Sequence, residues 1–216
     1  MDDVTRPAGW KIALILTIGV VAASTAAILV RLAIAAAGVA GVGFSLVLAA
    51  SRLTLAAIVL LPTWQKIFVK RPTSAGFRAA AGAGLALAVH FATWITSLSY
   101  TSIAASTTLV TTSPVWVALF AWFWQGERPT RSTQGGIAIA LVGSLLIGLG
   151  DGNSARTGSN PLLGDGLALM GAFAASLYFL WGREAQQQGL GIGSYAAVAY
   201  GVAAIVLLPL PLLVGT

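Results

Sequence analysis

Seven long apolar stretches, set apart by short basic or Gly-rich breaks, dominate this sequence. They lie near 12–37, 44–62, 77–98, 100–124, 132–150, 162–182 and 193–214. A helix rises about 1.5 Å per residue, so roughly 18 or more residues cross the ~30 Å hydrocarbon layer of a bilayer. Water-soluble cores rarely repeat helices of that length, because each would need apolar shielding on every side. The expected fold is therefore an all-α polytopic membrane protein of seven transmembrane helices, with the lipid bilayer as its first partner.

Composition agrees. Apolar residues make up 57% of the chain and charged residues 8%, against about a quarter charged in a soluble domain. The net charge of +6 does not point to nucleic acid, because the basic residues sit in the short loops between apolar runs. The absence of cysteine excludes disulfides and thiolate metal sites. One His and six carboxylates offer no metal cluster, and neither metal nor cofactor is expected. Arg6 and Lys11 precede the first run as they would in a secretory signal. That run continues past Val30, too long for a signal core, so it reads as a first membrane helix.

The loops alternate in charge. Arg6 and Lys11 lie in the tail, Lys66, Lys70, Arg71 and Arg78 in the 2–3 loop, Arg128 and Arg131 in the 4–5 loop and Arg183 in the 6–7 loop. The intervening loops hold only Arg156. With seven crossings every basic loop falls on one side, which places the N-terminus in the cytoplasm of a cell expressing it in its inner or plasma membrane.

A weak internal repeat is also legible. Gly164 with Ala168-Leu169 matches Gly9 with Ala13-Leu14 at a spacing of 155. Ala175-Ser176 and Arg183 match Ala23-Ser24 and Arg31 at a spacing of 152. If the sixth helix repeats the first, the unit has five helices, and an odd unit re-enters from the opposite face. Residues 1–150 would be the first five-helix repeat, and 151–216 the first two helices of an inverted second one. The sequence ends at Thr216, just after the seventh run. A chain lacking helices eight to ten and a genuine seven-helix protein are the two readings of that end.

Several motifs carry a family resemblance. They are Tyr100-Thr-Ser-Ile-Ala-Ala-Ser-Thr-Thr-Leu109, Ser113-Pro114 with Val115 to Phe120, Gly126-Glu127-Arg128-Pro129-Thr130, Gln134-Gly135 and Gly143. With Arg52 in helix two and Gly164-Asp165 at the start of helix six, the chain is similar to the EamA-type branch of the drug/metabolite transporter superfamily. The resemblance implies a ten-helix inverted-repeat transporter of small metabolites and names no substrate.

Polar residues inside a span are costly and are functional candidates for that reason. Arg52 lies about 12 Å below the outer end of helix two, and His90 lies at a similar ~12 Å depth in helix three. Arg52 either attracts an anionic group of a substrate or caps carbonyls, snorkels outward or pairs with further helices. His90 either carries a coupled proton or hydrogen-bonds a neighbouring helix. In helix three Ala80, Gly84, Ala88 and Ala92 form a small-residue strip for close helix contact, which leaves His90, Trp94 and Ser97 on the opposite face, free to line a cavity. A similar strip in helix five, Gly136, Ala140, Ser144 and Gly148, reads as packing.

Helix four carries Thr107, Thr108, Thr111, Thr112 and Ser113 before Pro114. Proline leaves the carbonyl of Val110 without its helical donor, so a hinge and an exposed polar backbone group are expected there. In helix six Ser176, Tyr178 and Trp181 could supply a repeat-related wall. The expected substrate-binding set is thus Arg52, His90, Trp94, Thr108, Thr111, Thr112, Ser176 and Tyr178, with Pro114 as hinge. Glu127, at the cytoplasmic edge, reads as a helix-end or loop contact.

Gly148-Leu149-Gly150-Asp151 spells the GxGD motif of intramembrane aspartyl proteases. That chemistry needs a second carboxylate facing the first inside the membrane, and no span contains one. A non-transporting membrane scaffold is the other alternative, though the chain has almost no long loop to dock partners. The reading reached is a secondary transporter, and an exporter, of small metabolites such as amino acids, working by alternating access and not as an enzyme. Its partners are the bilayer and a small-molecule substrate, and a homodimer is one assembly it could adopt.

Overall fold

The computed structural model describes residues 9–69, 72–151 and 159–214. Arg6, Lys70, Arg71 and Arg156 of the charge pattern lie outside them, as do the side chains at 147–151, including the GxGD aspartate. All regular structure among the described residues is helical. The elements are α1 (Gly9–Ala37), α2 (Val42–Val59), a 3-10 turn (Leu61–Thr63), α3 (Trp64–Val69), α4 (Ser74–Ser97), α5 (Ile103–Val110), α6 (Ser113–Gln125), α7 (Arg131–Asp151), α8 (Pro161–Gln187), α9 (Ile192–Leu207) and α10 (Leu210–Val214). Six helices are long and apolar enough to cross a membrane: α1, α2, α4, α5 with α6, α8, and α9 with α10. The run at 132–150 forms the 21-residue α7.

Local capping chemistry sets the boundaries. Thr73 accepts the Gly76 N–H at 3.0 Å and Asn160 accepts the Leu163 N–H at 3.3 Å, with Pro161 opening α8. The fourth span starts at Ile103, not near 100, because Ser102 caps it by accepting the Ala105 N–H at 3.0 Å. It ends at Gly126, whose φ of 68° suits a residue without a Cβ.

The span ends gather into two layers. Thr101 donates to Asp165 at 2.8 Å, Ser45 pairs with Ser99 at 3.0 Å, and Arg31 donates to the Leu98 carbonyl, all at one end. At the other, Arg183 meets Glu127 and Thr63 donates to the Gly193 carbonyl at 3.3 Å. The second layer holds Arg78, Arg128, Arg131 and Arg183 and is called the basic end below.

The core is built on α4, which packs between α8 on one side and α2 and α9 on the other. Ala80, Gly84 and Ala88 are buried. A Cβ built on Gly84 would lie 2.7 Å from the Ala199 carbonyl oxygen and 2.7 Å from the Val202 Cβ, so α4 and α9 touch backbone to side chain. The strip expected in helix three thus makes the close contact, and its partner is the seventh span.

The opposite face of α4 is not free. His90, Trp94 and Ser97 turn towards α8 and α5: His90 Nδ1–H donates to the Gly171 carbonyl at 2.9 Å, and Trp94 and Ser97 are buried. Gly171, Ala168 and Ala172 let α8 approach so closely that both faces of α4 are occupied. The strip of α7 differs in the other direction. Gly136 and Ala140 are exposed, and Ser144 lines a cavity on the side where α7 meets α5, so the strip is only partly covered among the described residues.

Candidate functional site

The fourth span is one helix by hydropathy and two by hydrogen bonding. α5 stops at Val110 and α6 starts at Ser113, with Thr111 and Thr112 between. Pro114 lacks the N–H that would reach the Val110 carbonyl. The structure supplies a substitute, since the Ser113 hydroxyl donates to that carbonyl at 3.1 Å. Thr111 donates to the Thr108 carbonyl at 2.9 Å and Thr112 to the Leu109 carbonyl at 2.7 Å. The exposed backbone acceptor expected from the proline is therefore covered by its neighbour's side chain. These three hydroxyls are occupied by their own helix, as hydroxyls in membrane helices commonly are.

Thr107 and Thr108 behave differently. Their Oγ1 atoms are buried and make no hydrogen bond among the described residues. Both line a cavity of about 640 Å³ between α1, α5 and α7, with Ser24, Arg31, Thr111 and Ser144. A second cavity of about 540 Å³ lies on the basic side of the break, among α6, α7 and α8, and is lined by Ser113, Pro114, Val117, Thr133 and Phe179. Glu127 and Arg183 border it. Arg183 grips Glu127 with two bonds, Nη1 to Oε2 at 2.6 Å and Nη2 to Oε1 at 2.7 Å, and Nη1 also reaches the Gln125 Oε1 at 3.2 Å.

The remaining expected residues form separate groups. The Arg52 guanidinium carbon sits 4.8 Å from the centroid of the Phe91 ring, a cation–π contact, and the His90 ring meets Phe91 edge-on at 4.8 Å. His90 stacks on Trp94 at 5.8 Å, and the buried Trp94 Nε1 has no acceptor among the described residues. Ser176 shares its O–H between the Ala172 carbonyl at 2.8 Å and the Ser113 carbonyl at 3.0 Å, tying α8 to the break. The Tyr178 carbonyl accepts the Tyr195 hydroxyl at 2.9 Å, which holds α8 to α9. Of the eight expected residues only Thr108 and Thr111 line either cavity.

Arg31 is the residue that reading the sequence for sites passed over. Six positions before the end of the first apolar run, it looks like a helix-end residue. Only the tertiary structure turns it inward, onto the Leu98 carbonyl that ends α4.

The family model for EamA-like transporters matches residues 10–149, well over half of the chain. The chain belongs to the EamA-like transporter family. No curated protein and no solved structure matches it. An EamA-like transporter is a multi-pass membrane protein, and the resemblance drawn from helices four and five stands.

Three of the motif residues in this EamA-like chain now have contacts. Gly164 sits where a Cβ would lie 2.7 Å from Thr101, and the adjacent Asp165 takes the Thr101 hydroxyl. Glu127 locks the end of α6 to α8 through Arg183. The Arg183 hydrogen bonds hold the Glu127 carboxyl below its ordinary value. A depressed carboxyl stabilises the folded state at pH above the ordinary value of 4.5, and that contribution is lost as the pH falls through the depressed one. The wild-type unfolding midpoint in detergent should therefore drop more on acidification below pH 4.5 than that of Glu127→Gln, which has no carboxyl to protonate. The difference should be small, because both side chains are about half exposed (47% and 49%).

Proposed function

We propose that this protein is a secondary transporter that exports small metabolites, such as amino acids or related compounds, by alternating access between two inverted halves. One observation carries the reading: two cavities end on either side of the break in the fourth span, one towards each end of the bundle. A helix that bends at Thr111–Pro114 would widen one cavity as it narrows the other. Thr108 and Thr111 are the substrate contacts in this reading, and Pro114 is the hinge. Arg52, His90, Trp94, Ser176 and Tyr178 hold the neighbouring spans in register around them.

Residues 1–150 form the first five-helix unit and 151–216 open the second, which the family match at 10–149 supports. The basic loops put the N-terminus in the cytoplasm, so the cavity bordered by Glu127 and Arg183 faces inward. Export is read most directly in everted membrane vesicles, where it shows as uptake. With a panel of radiolabelled amino acids and related small metabolites, at least one should accumulate above empty-vector vesicles without ATP. Folded protein in the vesicles with no flux of any solute tested would sink the proposal.

A further inference from the structure

The cavity between α1, α5 and α7 holds a cation and a row of hydroxyls. Its described lining includes Arg31, Ser24, Thr107, Thr108, Thr111 and Ser144, and no carboxylate. Arg31 lies about 9 Å along α1 from its end at Ala37. Its guanidinium carries five N–H donors in a fixed plane. Nη1 donates to the Leu98 carbonyl, and no other acceptor meets the group among the described residues. Half-buried at that depth, a guanidinium with donors to spare is costly unless something else takes them.

The threonines point the same way. A threonine in a helix ordinarily returns its proton to a carbonyl three or four residues back. Thr93, Thr111 and Thr112 do so, whereas Thr107 and Thr108 leave buried hydroxyls without partners. The first turn of α5, starting at Ser102, opens on the same cavity, so the positive end of that helix faces it too. Between Ser102 and Thr111 the cavity runs roughly 13 Å along α5, and its volume of 640 Å³ is in the range of small-molecule sites.

We infer that this cavity is an anion site, with Arg31 receiving the carboxylate of a small organic solute and Thr107 and Thr108, their occluded hydroxyls turned into the cavity by a χ1 rotation, hydrogen-bonding its remaining polar groups. The inference rests on the transporter reading and gives it a substrate class: carboxylate-bearing metabolites. A planar guanidinium matches a planar carboxylate through two parallel bonds, which a lone ammonium could not supply. The same chemistry would attract a phosphate of an anionic lipid headgroup. The inward turn of Arg31 to the end of α4, and the hydroxyls one to three turns deeper, favour a solute that enters the cavity whole.

The test uses the purified full chain in detergent and lactate, benzoate and N-acetylglycine, each beside its uncharged amide. At least one carboxylate should raise the unfolding midpoint of the wild type while its amide does not. Arg31→Gln should raise the half-saturating concentration about tenfold or more, with Arg31→Lys between the two. The double variant Thr107→Val with Thr108→Val is the safeguard against misfolding. It deletes two unpaired buried hydroxyls, so without ligand it should melt no lower than the wild type, yet it should bind the carboxylate several-fold more weakly.

Equal response to acids and amides, or unchanged binding in both the Arg31→Gln and the threonine variants, would overturn the inference. A shift produced by phosphatidylglycerol and by none of the soluble acids would overturn it as well, because the site would then hold lipid. Vesicle flux separates the two readings. Flux of a neutral or cationic solute that ignores Arg31→Gln removes the anion site and leaves the transporter. Arg31-dependent carboxylate binding without any flux supports the site and removes the transporter.

Discussion

Gly84→Val should separate the third span from the last and unfold much of the bundle. At this glycine even a Cβ would stand 2.7 Å from the Ala199 carbonyl oxygen, 2.7 Å from the Val202 Cβ and 3.0 Å from its Cγ1. One neighbour is backbone and the other a stiff β-branched side chain, so neither can swing aside. Overpacking of this kind costs about 1–3 kcal/mol where neighbours can shift, and here two helices must move apart along their length. α4 is also the helix on which α2, α8 and α9 converge, so the displacement reaches both core clusters. Gly166→Val, where nothing lies within 4 Å, is the control and should be near neutral. Equilibrium unfolding in mixed micelles reads both. Equal midpoints for Gly84→Val and wild type would mean that α4 and α9 do not meet as described.

The second large effect is expected at the hinge, with opposite signs on stability and transport. Pro114→Ala restores an N–H that can bond the Val110 carbonyl, which now depends on the Ser113 hydroxyl. Proline inside a helix costs up to about 3 kcal/mol relative to alanine, and much less in a first turn, where Pro114 stands in α6. The variant should melt higher than the wild type. If bending at Thr111–Thr112 lets the two cavities open in turn, a stiffer fourth span favours one state, and a bias of about 1.4 kcal/mol lowers turnover about tenfold. Flux through the reconstituted variant, normalised to folded protein, measures it. Unchanged turnover with a raised melting point would show that the break serves packing alone.

Much of the fold was legible because membrane crossing is written in local composition. Run length and the charge of the loops need no knowledge of neighbours, and all seven runs appear as helices within a few residues of the expected ends. The errors at those ends have local causes. The second run stops at Val59, where a 3-10 turn through Pro62 replaces the last turn, and the fourth is delayed to Ile103 by the Ser102 cap.

The site was less legible. Helical periodicity placed the small strip of α4 on one face and His90, Trp94 and Ser97 on the other. It could not say that α8 would cover the second face through Gly171. Arg52 stood out as a charge in mid-span, but it rests on the Phe91 ring. Arg31 was legible only as the repeat partner of Arg183, yet it enters the larger of the two cavities.

The sequence by itself determined the medium, the number of apolar helices, the break in the fourth and the family, because each depends on residues close together in the chain. The tertiary structure decided which polar groups find partners. A hydroxyl or guanidinium is satisfied or left over according to what another helix brings within about 3 Å, and a neighbour sixty or more residues away leaves no periodicity to read. Thr107, Thr108 and Trp94 each keep a buried polar atom without a partner among the described residues, and no local pattern in the chain marks them out.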